Sequence, residues 1–139
     1  MSWMKYAVVA ILIAGGLMIF ARPFQHMGNP SQSSARSVDV IVPELSLLAI
    51  RGQELFNDNC AACHGENGRG SDMGPPLIHP IYKPSHHADM SFSLAVANGV
   101  RQHHWPYGNM PALPHISQND LRKIVRFVRE TQQANGIAN

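Results

Sequence analysis

The two cysteines of this 139-residue chain stand three positions apart and run straight into a histidine, as Cys60-Ala-Ala-Cys63-His64. Thiols and an imidazole at this spacing suit three chemistries. A structural zinc site wants four ligands, and a second Cys-x-x-Cys pair is missing from the sequence. A thiol–disulfide exchange pair belongs in a βαβ setting, whereas the residues before these cysteines carry a helical pattern. Covalent attachment of haem fits the spacing. Two thiols one helical turn apart can each add to a vinyl group of one porphyrin, and His64 is then directed at the iron from the same side.

Those residues must be positioned by a small domain. Upstream, Leu47, Leu48, Ile50, Leu55 and Phe56 form an apolar helical face that leads into the cysteines. The stretch from Gly65 to Pro84 is turn-rich, and its Gly65-Glu-Asn-Gly-Arg-Gly70 run lacks the preceding strand and the Lys-Ser/Thr ending of a phosphate loop. A short helix is predicted over Ser91–Asn98, stopped by Gly99. Arg101–Pro114, with its prolines and bulky rings, reads as a loop. Ser117-Gln-Asn-Asp120 then caps a terminal amphipathic helix with Leu121, Ile124, Val125 and Val128 on one face. No alternating strand pattern follows residue 44, so the fold class expected is all-α, three to four helices around one covalent haem. A domain of roughly 90–100 residues is marginal on its own side chains, and the macrocycle completes its core.

The first 43 residues differ in composition. A short positive start precedes about 16 apolar residues ending at Ala21, between the length of a signal-peptide core and that of a spanning helix. No Ala-x-Ala pattern marks a cut, and Pro23 directly follows Arg22, so an uncleaved N-terminal membrane anchor over 1–22 is expected, with a cleaved signal sequence as the alternative. Lys5 before the span keeps the N-terminus cytoplasmic and sends the rest to the periplasm or its equivalent. Residues 23–43, with Pro23, Gly28, Pro30 and several serines, read as a flexible linker reaching about 25 Å, and residues 44–139 as the haem domain. The net charge of +2, without basic blocks or stacked aromatic clusters, argues against nucleic-acid binding.

From about Glu44 to Ile137 the sequence resembles the small mono-haem class I cytochrome c family. The likeness rests on Leu55-Phe-x-x-x-Cys60-Ala-Ala-Cys-His-Gly65, Gly74-Pro-Pro-Leu77, Gly108-Asn-Met-Pro-Ala112 and the closing helix from Asp120-Leu to Arg126-Phe-Val-Arg-Glu130. The resemblance implies haem c bound through Cys60 and Cys63, with iron held by His64 and Met110. It also implies that the Pro75 carbonyl receives the ring N–H of His64, and that Gly52, Phe56 and Phe127 lie where the first and last helices cross. Chemistry agrees with Met110: a thioether binds iron in both oxidation states and raises the potential relative to two histidines.

Rival ligands exist. Met73 follows Cys63 too closely to wrap around a haem edge, and Met90 precedes a helix without the loop context. Of His79, His86, His87, His103, His104 and His115, the pair His103-His104 lies in the Met110 loop and is the alternative source; His86-His87 offers no more than adventitious metal binding. Arg101, Trp105 and Tyr107 are candidates to contact haem propionates. Arg122, Arg126 and Arg129 share one face of the last helix, either as solvated charge or as a docking patch for an acidic partner.

The function expected is one-electron transfer, without an enzyme's acid, base or nucleophile and without a small-molecule substrate. The partners expected are redox proteins or a membrane oxidoreductase complex. The alternative is a haem-based gas sensor or small redox enzyme with an open or labile sixth iron position.

Overall fold

The structure, a computed structural model, describes residues 37–138. The expected anchor over 1–22 and most of the expected linker lie outside them. Among the described residues no helix is long and apolar enough to cross a membrane. Four helices occur there: α1 (Leu47–Asn59), α2 (Ala61–His64), α3 (Asp89–Asn98) and α4 (Gln118–Ala134), with 3-10 turns at Glu66–Gly68 and Pro80–Tyr82. No strand forms among the described residues; Val100 and Met110 make an isolated antiparallel backbone pair. The all-α expectation holds.

Each long helix starts on a serine. Ser46 Oγ accepts from the Ala49 N–H at 3.3 Å, and Ser117 Oγ accepts from the Asp120 N–H at 3.1 Å, each satisfying a donor that the first helical turn leaves unpaired. Helix α1 begins at Leu47, the first residue of its apolar pattern. Helix α3 begins at Asp89, two residues ahead of the expected Ser91, and stops at Gly99, whose φ of 73° suits glycine.

The core forms where α1 crosses α4. Ala49, Gly52 and Phe56 recur on one face of α1, and Leu121, Ile124, Val125, Phe127 and Val128 answer from α4. At the crossing, a Cβ on Gly52 would stand 2.0 Å from the Lys123 carbonyl oxygen; only glycine lets the two backbones approach this closely. Beside it the Phe56 and Phe127 rings pack with centroids 5.6 Å apart, tilted by 53°. Leu77, Ile78 and Ile137 close the cluster.

The last seven residues of the stretch read as linker lie against this domain. The Val38 N–H donates to the Arg69 carbonyl at 2.7 Å. Ile41 exchanges two hydrogen bonds with the Asn135 side chain, N–H to Oδ1 at 3.0 Å and Nδ2 to carbonyl at 2.7 Å. Val40 and Val42 pack on the core. Linker-like composition over 23–43 did not register this apolar alternation at its end.

Arg129 departs from the expected solvated face. Its side chain is only 14 % exposed, and it donates to Asp89 Oδ1 at 2.8 Å, to the Tyr82 carbonyl at 2.7 Å, to Gln132 Oε1 at 2.7 Å and to the His87 carbonyl. The guanidinium also lies 5.0 Å over the Phe92 ring. This arginine ties α4 to α3 and to the 82–87 segment.

Candidate cofactor site

Helix α3 and α2 contain no buried residue, because the faces they turn inward border a cavity of about 440 Å³. That volume is in the range of a cofactor pocket. The walls include His64 from α2, Pro75 and Leu77 from the segment after it, Tyr82, Phe92 and Ala95 of α3, and Val100, Trp105, Tyr107 and Met110 of the following loop.

His64 is placed by the backbone around it. Gly65 turns the chain at φ 71°, and a Cβ there would meet the Gly70 carbonyl oxygen at 2.2 Å; one on Gly74 would meet the Cys63 carbonyl at 2.8 Å. These glycines fold the 65–75 segment back on α2 and bring Pro75 beside the ring. His64 Nδ1 donates to the Pro75 carbonyl at 2.9 Å, which fixes the tautomer and leaves Nε2 with its lone pair free. Burial holds the His64 pKa below its ordinary value, against the opposing pull of the Pro75 hydrogen bond. The imidazole is therefore neutral at physiological pH, the form a metal ligand requires.

Met110 is held from both directions. Its N–H and carbonyl each pair with Val100 at 2.9 Å. Gly99 permits this approach, since a Cβ there would meet the Met110 oxygen at 2.5 Å. Farther along the loop, Gln102 Oε1 accepts from the Gly108 N–H at 2.8 Å, and Asn109 Oδ1 accepts from the Gln102 N–H at 3.0 Å. The rival methionines stand away from the walls: Met73 is 68 % and Met90 66 % exposed.

His64, Pro75 and Met110 thus meet at one cavity, whereas Cys60 and Cys63 do not wall it and sit in the turn that leads to His64. Both thiols are free. Burial, and then the neighbouring Cys63, push the Cys60 thiol up to about 11; such a thiol is the reverse of an activated exchange nucleophile. Of the propionate candidates, Trp105 and Tyr107 wall the cavity and Arg101 does not. The Trp105 Nε1 is buried without a hydrogen-bond partner. Such an orphaned donor suits an acidic substituent on a bound group. Mostly apolar walls, one neutral imidazole, one thioether, a free donor and two adjacent thiols together fit an iron porphyrin with acidic edges.

His103 and His104 also border the cavity, with His87. His79 does not; its Nδ1 accepts from the Ile81 N–H at 3.2 Å and its ring meets Trp105 edge-on at 5.0 Å. The apolar walls Tyr82, Phe92 and Val100 escaped the sequence reading, since nothing in their spacing distinguishes a cofactor-facing residue from a core residue.

Fold and site together define a small helical haem-binding protein. The chain belongs to the cytochrome c family, whose description "Cytochrome c" matches residues 49–132. The cofactor of this family is a covalently bound c-type haem with iron, and that is the cofactor of this chain. Among relatives, the chain is 30 % identical over 83 residues to the Cbb3-type cytochrome c oxidase subunit CcoP of Rhodobacter capsulatus, covering 58 % of this chain and 28 % of that protein. It is 35 % identical over 72 residues to the Cytochrome bc1 complex cytochrome c subunit of Mycobacterium bovis, covering 51 % and 22 %. It is 35 % identical over 85 residues to Lupanine 17-hydroxylase [cytochrome c] of a Pseudomonas species, covering 60 % and 11 %. The matched part spans less than a third of each of these proteins. Comparison with solved structures gives no significant match.

Proposed function

We propose that the chain is a one-electron carrier. Cys60 and Cys63 bond the macrocycle, His64 and Met110 hold the iron, and the Pro75 carbonyl orients His64. When bound, the haem supplies an iron that alternates between ferric and ferrous forms. The chain's own residues keep the change small: Pro75 fixes the imidazole, the Val100–Met110 backbone pair fixes the thioether, and the apolar walls keep bulk water from the metal. The observation that carries the reading is the convergence of an oriented His64 and a loop-pinned Met110 on one cavity.

The relatives named as subunits of respiratory complexes support a partner of the same kind, either a membrane oxidoreductase complex or a redox protein that meets one. The apolar stretch Ala7–Ala21 anchors the chain, with the haem domain on the periplasmic side. The domain itself is an electron-transfer module rather than an enzyme; the hydroxylase among the relatives fits this, with the shared part covering 11 % of its length.

Optical spectra of the holoprotein test the reading. The ferric form is expected to show the weak red-edge sulfur-to-iron band, lost in Met110→Ala, and the ferrous form is expected to ignore carbon monoxide. Ready carbon monoxide binding by the parent protein would mean an open or labile sixth position and would hand the lead to a sensor or small enzyme. Absence of the sulfur band with carbon monoxide still excluded would assign the sixth position to His103 or His104, which border the same cavity.

A further inference from the structure

Four of the eight histidines gather where two loops meet at the mouth of the cavity. His86 and His87 come from the segment before α3, and His103 and His104 from the loop that carries Met110. Ring centroids lie 4.7 Å apart for His86–His87, 5.5 Å for His86–His104, 5.4 Å for His87–His104 and 4.3 Å for His103–His104. We propose that His86, His87 and His104 form a binding site for one divalent transition-metal ion of the imidazole-preferring, zinc class, separate from the haem iron.

The geometry meets the needs of such a site. One ring nitrogen from each of the three lies within 4.8 Å of the others. Tetrahedral zinc–nitrogen bonds of about 2.0–2.1 Å require separations of roughly 3.3 Å, and His86 and His104 are exposed enough to move inward. His87 is the fixed member. Its Nδ1 donates to the Ile81 carbonyl at 2.8 Å, which leaves Nε2 as the ligand atom, and Arg129 grips its backbone carbonyl. A metal-bound histidine typically has its second nitrogen engaged in this way. His103 is turned to other use, with Nδ1 donating to the Arg101 carbonyl at 2.9 Å, and it stacks at the edge of the cluster. No carboxylate or thiolate takes part, so three neutral imidazoles with a fourth position left to water favour zinc, copper or nickel over magnesium or calcium.

The ligands come from two separate segments, so the ion would clip the 86–87 segment to the loop that presents Met110. Metal binding would therefore stabilise the closed crevice. The site does not rest on the electron-carrier reading, because it uses neither His64 nor Met110.

Calorimetric titration of the full-length holoprotein with Zn²⁺ tests the proposal. One Zn²⁺ per chain is expected, with affinity weakened at least about tenfold in His86→Gln and in His104→Gln. His115→Gln, at an exposed histidine outside the triad, should bind as the parent does. The parent and His115→Gln should gain several degrees in melting temperature with Zn²⁺, reversed by a chelator, and the two triad variants should gain less. His86 is exposed and does not wall the cavity, so its replacement leaves folding and the haem crevice aside. The proposal fails if no saturable binding occurs up to about 0.1 mM Zn²⁺, or if either glutamine variant of the triad binds zinc as tightly as the parent.

Discussion

In the proposed electron carrier, His64 and Met110 are the side chains that hold the iron. Each is constrained through its neighbours rather than by its own packing: His64 by the Pro75 carbonyl at 2.9 Å, Met110 by two 2.9 Å backbone bonds to Val100. A thioether stabilises the ferrous iron relative to an imidazole. Met110→His should therefore keep a six-coordinate iron but lower the reduction potential, by on the order of 0.1–0.3 V within the roughly 0.8 V range open to haem proteins. Potentiometric titration of the two holoproteins measures it, and an unchanged potential would show that Met110 is not the ligand in the parent.

At the scale of elements, the α1–α4 crossing holds the domain and its glycine is the tightest point. A Cβ 2.0 Å from the Lys123 carbonyl cannot be absorbed by a rotamer change, since the obstacle is helix backbone. Gly52→Ala should force the helices apart and cost about 2 kcal/mol or more, read by denaturant unfolding of the holoprotein. The start of α1 is fastened to α4 by Glu130, which accepts from the Ser46 N–H at 2.9 Å and from its hydroxyl at 2.7 Å, and pairs with Arg126. Partial burial pushes the Glu130 pKa up, but the Ser46 and Arg126 bonds outweigh it and hold the pKa below the ordinary value. A carboxyl depressed in the folded state stabilises above its unfolded pKa, and this stabilisation is lost as pH falls through the folded one. Glu130→Gln should thus cost about 1 kcal/mol at neutral pH, and the deficit should vanish in strongly acidic solution. A deficit that is the same at pH 7 and pH 3 would mean the charge contributes nothing.

For the whole molecule, the property that sets where the haem domain works is its attachment. Among the described residues no helix is long and apolar enough to cross a membrane, and the proposed anchor is Ala7–Ala21. The full chain should sediment with neutral phospholipid vesicles at high salt, while a form beginning at residue 37 stays in the supernatant; equal partitioning of both would remove the anchor. Apolar insertion survives salt, whereas charge attraction does not.

The sequence by itself determined the covalent haem, the helical class and the closing helix, because these depend on local chemistry. Two thiols and a histidine need only their spacing, and α4 needs only a capping serine and a 3.6-residue apolar period. The Met110 loop was legible through its Met-Pro step. Tertiary structure alone decided the rest. Gly99 stops α3 but also admits the Met110 backbone, eleven residues away. Arg129 looked like surface charge until its donors met two carbonyls of the 82–87 segment and the Asp89 carboxylate of α3. The 37–43 stretch looked like tether until Val40 and Val42 found the core. The four histidines were scattered over two loops until the cavity mouth gathered them. In each case the deciding partner is distant in the chain, and a residue's own type and spacing carry no record of a contact that exists only after folding.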